Sequence, residues 1–325
     1  MKKYLNCPFL KKSIHFFYDN IRPCCSNVYG PIFYANYSDE QSVDWDYIYQ
    51  TRKNIVEKIN NDEYENGIPD ECKDCCDIEK YLSDKKIEDF PNKIKHFYFQ
   101  NNMSCNAKCT YCSFAEVGKG YRYKLIPLIK QMTDKNIIDE NIVCFMSGGE
   151  MTINPEFQDL LDILSHHKNS YIDLFSSGIK YLDAIKNAFV VNPKFHMMIS
   201  LDAGTRETYK KIKQVDCFDD VINNLKIYTE ASDNAKNNIV LKYILIDDMN
   251  DNFDEIRSFI DTVVSLGIKS VRMDVDFVKY KYESHKKVPA HYFELFDAFH
   301  KLAEENGLIV HKYDQSEAIL EYGKS

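Results

Sequence analysis

The sequence predicts an α/β fold, a partial (β/α)6 TIM-like barrel, together with a small N-terminal cysteine-rich α+β domain. From about residue 94, short runs rich in Val, Ile, Phe and Tyr alternate with amphipathic helical stretches, which is typical of a parallel sheet built from β/α units. A complete eight-unit barrel usually takes about 250 residues. The stretch that ends near residue 278 is shorter, so it predicts six units and an incomplete barrel.

The strand candidates of this core are apolar, β-rich runs bounded by turn residues. Between them, apolar residues recur at the i, i+3, i+4, i+7 spacing of a helix, over residues 157–164 and again over residues 253–263, where Gly267 follows as a stop. Functional groups gather at the carboxyl ends of parallel strands, so the residues after each strand are site candidates. The six strands are Ile94–Phe99, Ile142–Met146, Tyr171–Phe175, Phe195–Ser200, Ile239–Ile246 and Ser270–Val275.

Three domains are expected along the chain. Residues 1–93 form the cysteine-rich domain, residues 94–278 the barrel core and residues 279–325 a C-terminal extension. Asp19-Asn20 predicts a tight turn between two hairpin strands. The elements expected outside the core are the strands His15–Tyr18 and Ile21–Pro23, helices over Tyr47–Asn60 and Phe293–Leu302, and a strand at Leu308–Lys312.

Composition narrows the function classes. The 325 residues are 44% hydrophobic and 14% aromatic, which excludes disorder as the default state. The net charge of −9 comes from scattered acidic groups, so the basic footprint of a nucleic-acid binder is missing. No apolar run approaches the roughly 18 residues that span a bilayer, and no secretory core follows the basic start. We therefore expect a cytoplasmic protein, in which 11 cysteines indicate metal ligation before disulfides.

One loop directly after the first core strand carries three cysteines, Cys105, Cys109 and Cys112. At these spacings the thiolates cannot all face one point from a regular helix or strand, but they can do so from a loop curled around a polynuclear cluster. A cubane iron–sulfur cluster has four irons and is usually held by four cysteines, so this loop leaves one iron open to a non-protein ligand. The alternative is structural zinc, which needs four ligands, and no His or Cys follows soon after Cys112.

This spacing, with the aromatic Tyr111 before the last cysteine, resembles the radical S-adenosylmethionine (SAM) superfamily. The resemblance implies a [4Fe–4S] cluster on the three cysteines, SAM chelating the fourth iron, and Tyr111 beside the cofactor. It also implies a 5′-deoxyadenosyl radical, formed when an electron from a flavodoxin- or ferredoxin-type reductant breaks a carbon–sulfur bond of SAM. The six-unit open barrel of that family agrees with the strand pattern.

A second segment resembles the family's SAM pocket. Gly148-Gly149-Glu150, after the second core strand, is similar to the segment that holds the amino group of SAM, although Met151 stands where the family often has Pro. Glycines let the backbone come close to a ligand without a Cβ in the way. The alternative is an ordinary strand-to-helix turn, which would not require Glu150.

Ser200-Leu-Asp202, after the fourth core strand, resembles the family's Ser-x-Asp strand end. The resemblance implies that Ser200 bonds the carboxylate or ribose of SAM and that Asp202 orders the site. A helix cap ahead of Thr205 is the alternative for Asp202. The family often has an Asn at the position of Asn252, which capping alone would also explain. Lys242, on the fifth strand, either neutralises a carboxylate or lies at a solvated strand end.

Six cysteines lie in the first quarter of the chain. The hairpin around Asp19-Asn20, which ends in Pro23-Cys24, resembles a SPASM or twitch module, although in that family the module usually follows the barrel. The resemblance implies a second, auxiliary [4Fe–4S] cluster, and structural zinc on the same thiolates is the alternative. The ligands are most simply Cys7, Cys24, Cys72 and Cys75, with Cys25 and Cys76 left open as substitutes for their neighbours.

The predicted function is that of a radical SAM enzyme, of oxidoreductase or maturase type, that abstracts a hydrogen atom from its substrate. Oxidative modification of a ribosomal peptide is the first expectation. Dehydrogenation or epimerisation of a sugar or other small molecule is the second, because no peptide-recognition winged helix is recognisable before the barrel. The rival from another class is a non-catalytic iron–sulfur electron carrier or a zinc-stabilised binding module. No nucleic-acid or membrane partner is expected, and no catalytic acid or base is identified.

Overall fold

The computed structural model describes the chain except for residues 1–3, 6, 19, 23–42, 62–81, 84–90, 113–119, 121–122, 168, 277–278, 281–287 and 313–325. The chain divides into two compact units. Unit 1 comprises Met1–Met103, Lys119–Gly148 and His167–Ile172, and unit 2 comprises Ser104–Gly118, Gly149–His166 and Asp173–Ser325.

Strands form where β-branched and aromatic side chains alternate between two faces. The predicted core strands are all present, and the largest difference is the start of the second one, at Ile138 rather than Ile142. In chain order the strands are β1 Tyr4–Leu5, β2 Ser13–Phe17, β3 Ile21–Arg22, β4 Leu82–Ser83, β5 Ile94–Gln100, β6 Ile138–Met146, β7 Tyr171–Ser176, β8 Phe195–Ser200, β9 Ile239–Leu245, β10 Ser270–Val275 and β11 Ile309–Val310.

Helices form where apolar residues recur on one face, and they end at recognisable signals. The Asn252 side chain accepts a hydrogen bond from the Glu255 N–H and caps the start of the helix Phe253–Ser265. Gly267, just after this helix, has a left-handed conformation with φ +69°. The helices are α1 Pro8–Lys12, α2 Trp45–Asn60, α3 Ile126–Asp134, α4 Phe157–Ser165, α5 Asp183–Val191, α6 Arg206–Lys213, α7 Phe218–Ala231, α8 Asp233–Asn238, α9 Phe253–Ser265 and α10 His291–Glu305.

In unit 1 the strand order is β6-β5-β2-β3, and β2, β5 and β6 run parallel. β3 pairs antiparallel with β2, which confirms the predicted hairpin. Phe16 of β2 stacks on Phe99 of β5, with ring centroids 5.4 Å apart. The hairpin pattern did not indicate that β2 would also pair with β5, because the register of strands far apart in sequence leaves no local signal.

In unit 2 the strand order is β11-β10-β9-β8-β7, and β8 to β11 pair in parallel. One face packs against helices, as where Tyr243 of β9 meets Phe259 of α9 with ring centroids 5.0 Å apart. The register places Ser200, Lys242 and Arg272 side by side on the opposite face. We call this opposite face the polar face and define it by Asp173, His196, Met198, Ser200, Lys242, Arg272 and Asp274.

The predicted fold class is confirmed, since the chain is mixed α/β with a largely parallel arrangement of strands that does not close. The domain boundaries 1–93, 94–278 and 279–325 stay a prediction. Cys144 of β6 is fully buried, as expected for a cysteine that packs like a small hydrophobe. In the described part of the chain, no helix is both long and apolar enough to cross a membrane.

Candidate functional site

The cysteine loop, residues 104–112, belongs to unit 2 and is fixed by the end of α6. The N–H of Lys108 donates to the carbonyl of Lys213 over 3.0 Å, and the N–H of Thr110 donates to the carbonyl of Ile212 over 2.9 Å. Carbonyls in the last turn of a helix have no partner within the helix. The loop therefore supplies hydrogen-bond donors to the last carbonyls of α6, and these hydrogen bonds hold the loop in place.

The thiols of this loop lie close enough to influence one another's ionisation. Burial, with smaller contributions from Glu150, Cys109 and Cys112, raises the pKa of Cys105 to about 11. Burial also raises the pKa of Cys109, against the lowering effect of Lys213. Both thiols are therefore protonated at neutral pH.

The donor set of the loop fits a [4Fe–4S] cluster. Among the described residues, no group of three His, Cys, Asp or Glu side chains is close enough to hold a single metal ion. In a cubane iron–sulfur cluster each thiolate binds a different iron. The sequence from Ser104 to Gly118 contains three cysteines and no histidine, so this segment leaves one iron without a protein ligand.

Glu150 is a buried carboxylate that joins three segments of unit 2. It is 1% exposed and accepts hydrogen bonds from the N–H and hydroxyl of Thr152, the hydroxyl of Ser176 and, over 2.6 Å, the N–H of Ser177. Its own N–H donates to the Ser104 carbonyl over 2.7 Å, at the start of the cysteine loop. Its predicted role at the amino group of SAM stays a prediction, and the contacts give it a structural role as well.

Gly148 is the last residue of its segment of unit 1, and only glycine fits there. Its φ is +109°, and a Cβ would lie 3.1 Å from the carbonyl oxygen of Asn102 and 3.4 Å from the Cα of Gln100. Both the positive φ and the close approach make any other residue strained at this position. Gly149, the first residue of its segment of unit 2, is partly exposed.

Asp202 is fully buried and has the left-handed φ of +57°. Its Oδ2 accepts hydrogen bonds from the Tyr111 hydroxyl and from Lys213 Nζ, each over 2.5 Å, and its Oδ1 accepts from the N–H of Ile244 over 2.9 Å. The alternative that Asp202 caps the following helix is wrong, because Thr205 is the N-cap of α6. Asp202 instead connects the end of β8 to the cysteine loop.

The polar face places further charged groups near Ser200, which is half-buried at the end of β8. Arg272 and Asp274 form an ion pair with a nitrogen–oxygen distance of 2.8 Å. Burial raises the pKa of Asp173 to about 6, against the lowering effect of Arg272, and burial lowers the pKa of Lys242. Within the described residues, neither the Asp173 nor the Lys242 side chain makes a hydrogen bond or an ion pair. Lys242 lies within β9 and is partly exposed, and the choice between the two predicted roles stays open.

Sequence reasoning missed Lys213 and the charges of the polar face. Lys213 is one of three lysines near the end of α6, and the sequence does not say which of them is buried. The charges of the polar face could have been recognised from the sequence. Asp173 lies inside Tyr-Ile-Asp-Leu-Phe-Ser, and Arg272 and Asp274 lie inside Ser-Val-Arg-Met-Asp-Val. Charged residues within otherwise buried strands indicate a functional face.

The second predicted metal site falls largely outside the described residues. Cys7 is 8% exposed at the start of α1 in unit 1, and its carbonyl accepts a hydrogen bond from the Lys11 N–H. The auxiliary iron–sulfur cluster and its zinc alternative therefore stay predictions. The other proposed ligands, and their possible substitutes, lie in undescribed segments: Cys24, Cys25, Cys72, Cys75 and Cys76.

Comparison with known proteins identifies the fold family. Residues 103–260 match the radical SAM superfamily. The chain carries a radical SAM domain. The matched range of this domain contains the cysteine loop, Glu150, Asp202 and Lys213. The family implies a [4Fe–4S] cluster and SAM, which agrees with the donor set of the loop. No curated protein matches the chain in sequence.

Solved radical SAM structures have a similar fold. Streptococcus suis SuiB bound to its precursor peptide SuiA is 14% identical with a TM-score of 0.53, over 89% of this chain and 59% of that chain. SuiB bound to S-adenosylmethionine is 15% identical with a TM-score of 0.53, over 86% and 57%. Native anSMEcpe with bound AdoMet is 16% identical with a TM-score of 0.50, over 67% and 63%. At these identities the likeness shows the fold, and the chain spans less than two thirds of each of these proteins.

Proposed function

We propose that this radical SAM protein is an oxidoreductase or maturase that begins its reaction by abstracting a hydrogen atom from its substrate. The observation that carries the proposal is the loop of three cysteines, held by α6 and lacking a fourth protein ligand in its own segment. When bound, a [4Fe–4S] cluster and SAM would supply a one-electron cleavage that releases a 5′-deoxyadenosyl radical. A flavodoxin- or ferredoxin-type reductant in the cytoplasm is the proposed electron source.

The side chains of this chain bind and orient in that proposal. Cys105, Cys109 and Cys112 hold three irons. The Gly148–Glu150 segment holds the amino group of SAM, and Ser200 its carboxylate or ribose. Tyr111 borders the same pocket. Asp202 accepts hydrogen bonds from three donors of the chain itself, so its contacts support an ordering role rather than direct contact with SAM.

A ribosomal peptide is the first proposed substrate. The support is the likeness to SuiB, which covers 89% of this chain and whose structure contains a precursor peptide. Oxidation of a peptide removes a second electron from the substrate radical, and an auxiliary [4Fe–4S] cluster is the proposed acceptor. Its proposed ligands are Cys7, Cys24, Cys72 and Cys75, with structural zinc on the same thiolates as the alternative.

A sugar or another small polar molecule is the second candidate, and the polar face favours it. Asp173 and Lys242 lie on this face without a hydrogen bond or ion pair to another described residue, and burial shifts the pKa of each toward its neutral form. Largely buried charges without partners suit a ligand that brings hydrogen-bonding groups of its own. Such a substrate would be dehydrogenated or epimerised after hydrogen-atom abstraction.

The test of the reaction class is SAM cleavage under anaerobic conditions. Reconstituted full-length protein, given SAM and dithionite, is expected to release methionine and 5′-deoxyadenosine. The combined Cys105→Ala, Cys109→Ala and Cys112→Ala variant is expected to lose at least 100-fold of that activity. The matched control is Cys217→Ala, which removes a thiol of unit 2 outside the loop and should leave the rate unchanged. Cleavage retained in the triple variant would contradict the proposal and favour a non-catalytic iron–sulfur or zinc protein.

The substrate class is tested by product analysis next to the gene's neighbours. A short precursor-peptide gene predicts that the encoded peptide loses hydrogen atoms when it is incubated with the enzyme, SAM and reductant. A cluster of sugar-nucleotide genes predicts instead that deuterium from a labelled sugar appears in 5′-deoxyadenosine. For the auxiliary cluster, the paired Cys72→Ala and Cys75→Ala variant should lower iron by about one cluster per chain and spare SAM cleavage. Unchanged iron with bound zinc would favour the structural alternative.

A further inference from the structure

Three side chains from three segments of unit 2 meet in one buried network. Tyr111 comes from the cysteine loop, Asp202 follows β8 and Lys213 ends α6. The Tyr111 hydroxyl and Lys213 Nζ each donate to Asp202 Oδ2 over 2.5 Å, and Lys213 Nζ also lies 2.9 Å from the Tyr111 hydroxyl. The side chains of Lys213 and Asp202 are 2% and 0% exposed. The network is therefore a buried ion pair between Lys213 and Asp202, and the Tyr111 hydroxyl contacts both partners.

A buried ion pair is expensive unless its geometry is good and its remaining hydrogen-bonding capacity is satisfied. Asp202 meets that condition, since Oδ1 also accepts from the N–H of Ile244 over 2.9 Å. Burial alone would lower the pKa of Lys213, but the carboxylate of Asp202, 2.5 Å from its Nζ, outweighs burial and raises it. Lys213 is therefore a permanent cation, and it is fixed in position by its partners.

Helix α6 is held at both ends, which makes the position of Lys213 rigid. At its start, the Glu255 carboxylate accepts hydrogen bonds from the Gly204 N–H over 2.8 Å and from the Thr208 hydroxyl over 2.8 Å. At its end, the carbonyls of Ile212 and Lys213 accept from the cysteine loop. A charge on such a helix cannot move away from the loop without breaking several hydrogen bonds.

The two charges of the network lie against the cysteine loop. Lys213 Nζ and Asp202 Oδ2 both contact the hydroxyl of Tyr111, the residue before Cys112, and Lys213 ends the helix whose carbonyls hold Lys108 and Thr110. A nearby cation stabilises negative charge added at this loop, and a nearby anion opposes it. Reduction adds one electron to an iron–sulfur cluster, and its potential depends on surrounding charge and hydrogen bonds.

We propose that Lys213, Asp202 and Tyr111 form a positioning network that sets the reduction potential of the iron–sulfur cluster held by the cysteine loop, an inference that rests on the proposed function. Lys213 raises the potential and Asp202 lowers it. Tyr111 couples both charges to the loop through its hydroxyl. None of the three needs to touch SAM or substrate for this role.

The experiment is an anaerobic redox titration of reconstituted full-length protein, followed by electron paramagnetic resonance. The signal of this cluster is the one that is lost in the Cys105→Ala, Cys109→Ala and Cys112→Ala variant. Lys213→Met is measured at about pH 8.5, where an unpaired aspartate stays ionised. Asp202→Asn is measured at about pH 6.5, where an unpaired lysine stays protonated. Each is compared with the wild type at the same pH.

The expected result is a pair of shifts with opposite signs. Lys213→Met should move the midpoint potential to a more negative value and Asp202→Asn to a more positive value, while the double variant returns toward the wild type. Lys213→Arg should keep the wild-type potential, because it keeps the cation. Loosening of the loop alone would lower iron content or broaden the signal, but it would not give shifts of opposite sign that cancel.

Two outcomes would overturn the inference. One is a pair of single variants that keep their iron and show unchanged potentials, and the other is shifts in the same direction. If Lys213→Met fails to retain iron, the direction of the Asp202→Asn shift decides alone. The proposed function is tested separately, by the loss of SAM cleavage in the triple cysteine variant. If that loss is seen but substitution of Lys213 and Asp202 leaves the midpoint potential unchanged, only this inference is overturned.

Discussion

Unit 2 contains two sets of charged side chains, one fully buried and one partly buried, that differ in how they are satisfied. At the strand ends, Glu150 and Asp202 each accept hydrogen bonds from several donors of the chain. On the polar face, Asp173 and Lys242 make no hydrogen bond or ion pair with another described residue, and burial shifts the pKa of each toward its neutral form. The first set is satisfied by hydrogen bonds within the fold, and the second set is not.

The difference follows from the cost of burying charge. A buried charge with a full set of donors stabilises the fold, and removing it leaves those donors unpaired. A buried charge without partners raises the free energy of the fold until a ligand or a proton compensates it. The comparison therefore predicts opposite signs for equivalent substitutions in the two sets.

The largest change in the free energy of unfolding is expected for Glu150→Gln. The amide replaces one acceptor oxygen by a donor, so part of the four-donor arrangement from Thr152, Ser176 and Ser177 loses its acceptor. Each buried group left unpaired costs about 1–3 kcal/mol, and we expect the free energy of unfolding to fall by about 3 kcal/mol in total. The measurement is urea unfolding at pH 7.5.

The matched control for this variant is Glu230→Gln on α7. Its carboxylate is exposed and lies 3.9 Å from Lys226 in an i, i+4 pair, so its loss should change stability by less than about 0.5 kcal/mol. Equal losses of unfolding free energy in Glu150→Gln and Glu230→Gln would contradict the claim that the hydrogen bonds of Glu150 stabilise the fold.

Asp173→Asn is expected to act in the opposite direction, and to depend on pH. Burial raises the pKa of Asp173 from its ordinary value near 4 to about 6. Its contribution to stability is present below the unfolded pKa and is lost as pH rises through the folded pKa. The neutral variant avoids this loss, so it should gain about 2 kcal/mol relative to the wild type between pH 4 and pH 7.5.

Unfolding free energies of both proteins at these two pH values measure this gain. Arg272 is the charged group that acts on Asp173, and a constant difference between variant and wild type would mean that Arg272 already compensates the carboxylate. In that case Asp173 would be compensated within the fold, as Glu150 and Asp202 are.

Lys242→Met should give the smallest change, a gain of about 1 kcal/mol at pH 7.5, because it removes a largely buried cation that no ion pair compensates. Burial lowers the pKa of Lys242, so the gain should shrink as pH rises toward the unfolded pKa of lysine. Lys226→Met, on the exposed surface of α7, is the control and should stay within about 0.5 kcal/mol. A clear loss of stability in Lys242→Met would show that this lysine has a partner in the fold.

Local patterns were enough to predict the core strands and several helices. The six core strands, the helices over residues 157–164 and 253–263 and the β2–β3 hairpin all depend on side chains close together in sequence. The pairing of β2 with β5 joins residues about 80 positions apart, and no local pattern encodes it. Contacts at long range decide such pairings.

The candidate site was predicted by residue type and spacing, but its supporting contacts were not. For Asp202 the sequence allowed both a cap and an ordering role. The fold decides between them, because Thr205 caps α6 and Asp202 turns back toward Tyr111. Lys213 could not be distinguished from its neighbours Lys210 and Lys211, since burial on one side of a helix depends on what packs there.

The two backbone hydrogen bonds from the cysteine loop to α6 have a consequence for how the protein acquires its metal. Fixing the backbone of a residue costs about 1–2 kcal/mol of conformational entropy, and a loop that folds around incoming iron must lose that entropy on loading. Here Lys108 and Thr110 are already held by carbonyls of the helix. In the proposed function, the cluster would therefore assemble on a loop whose backbone is already partly ordered.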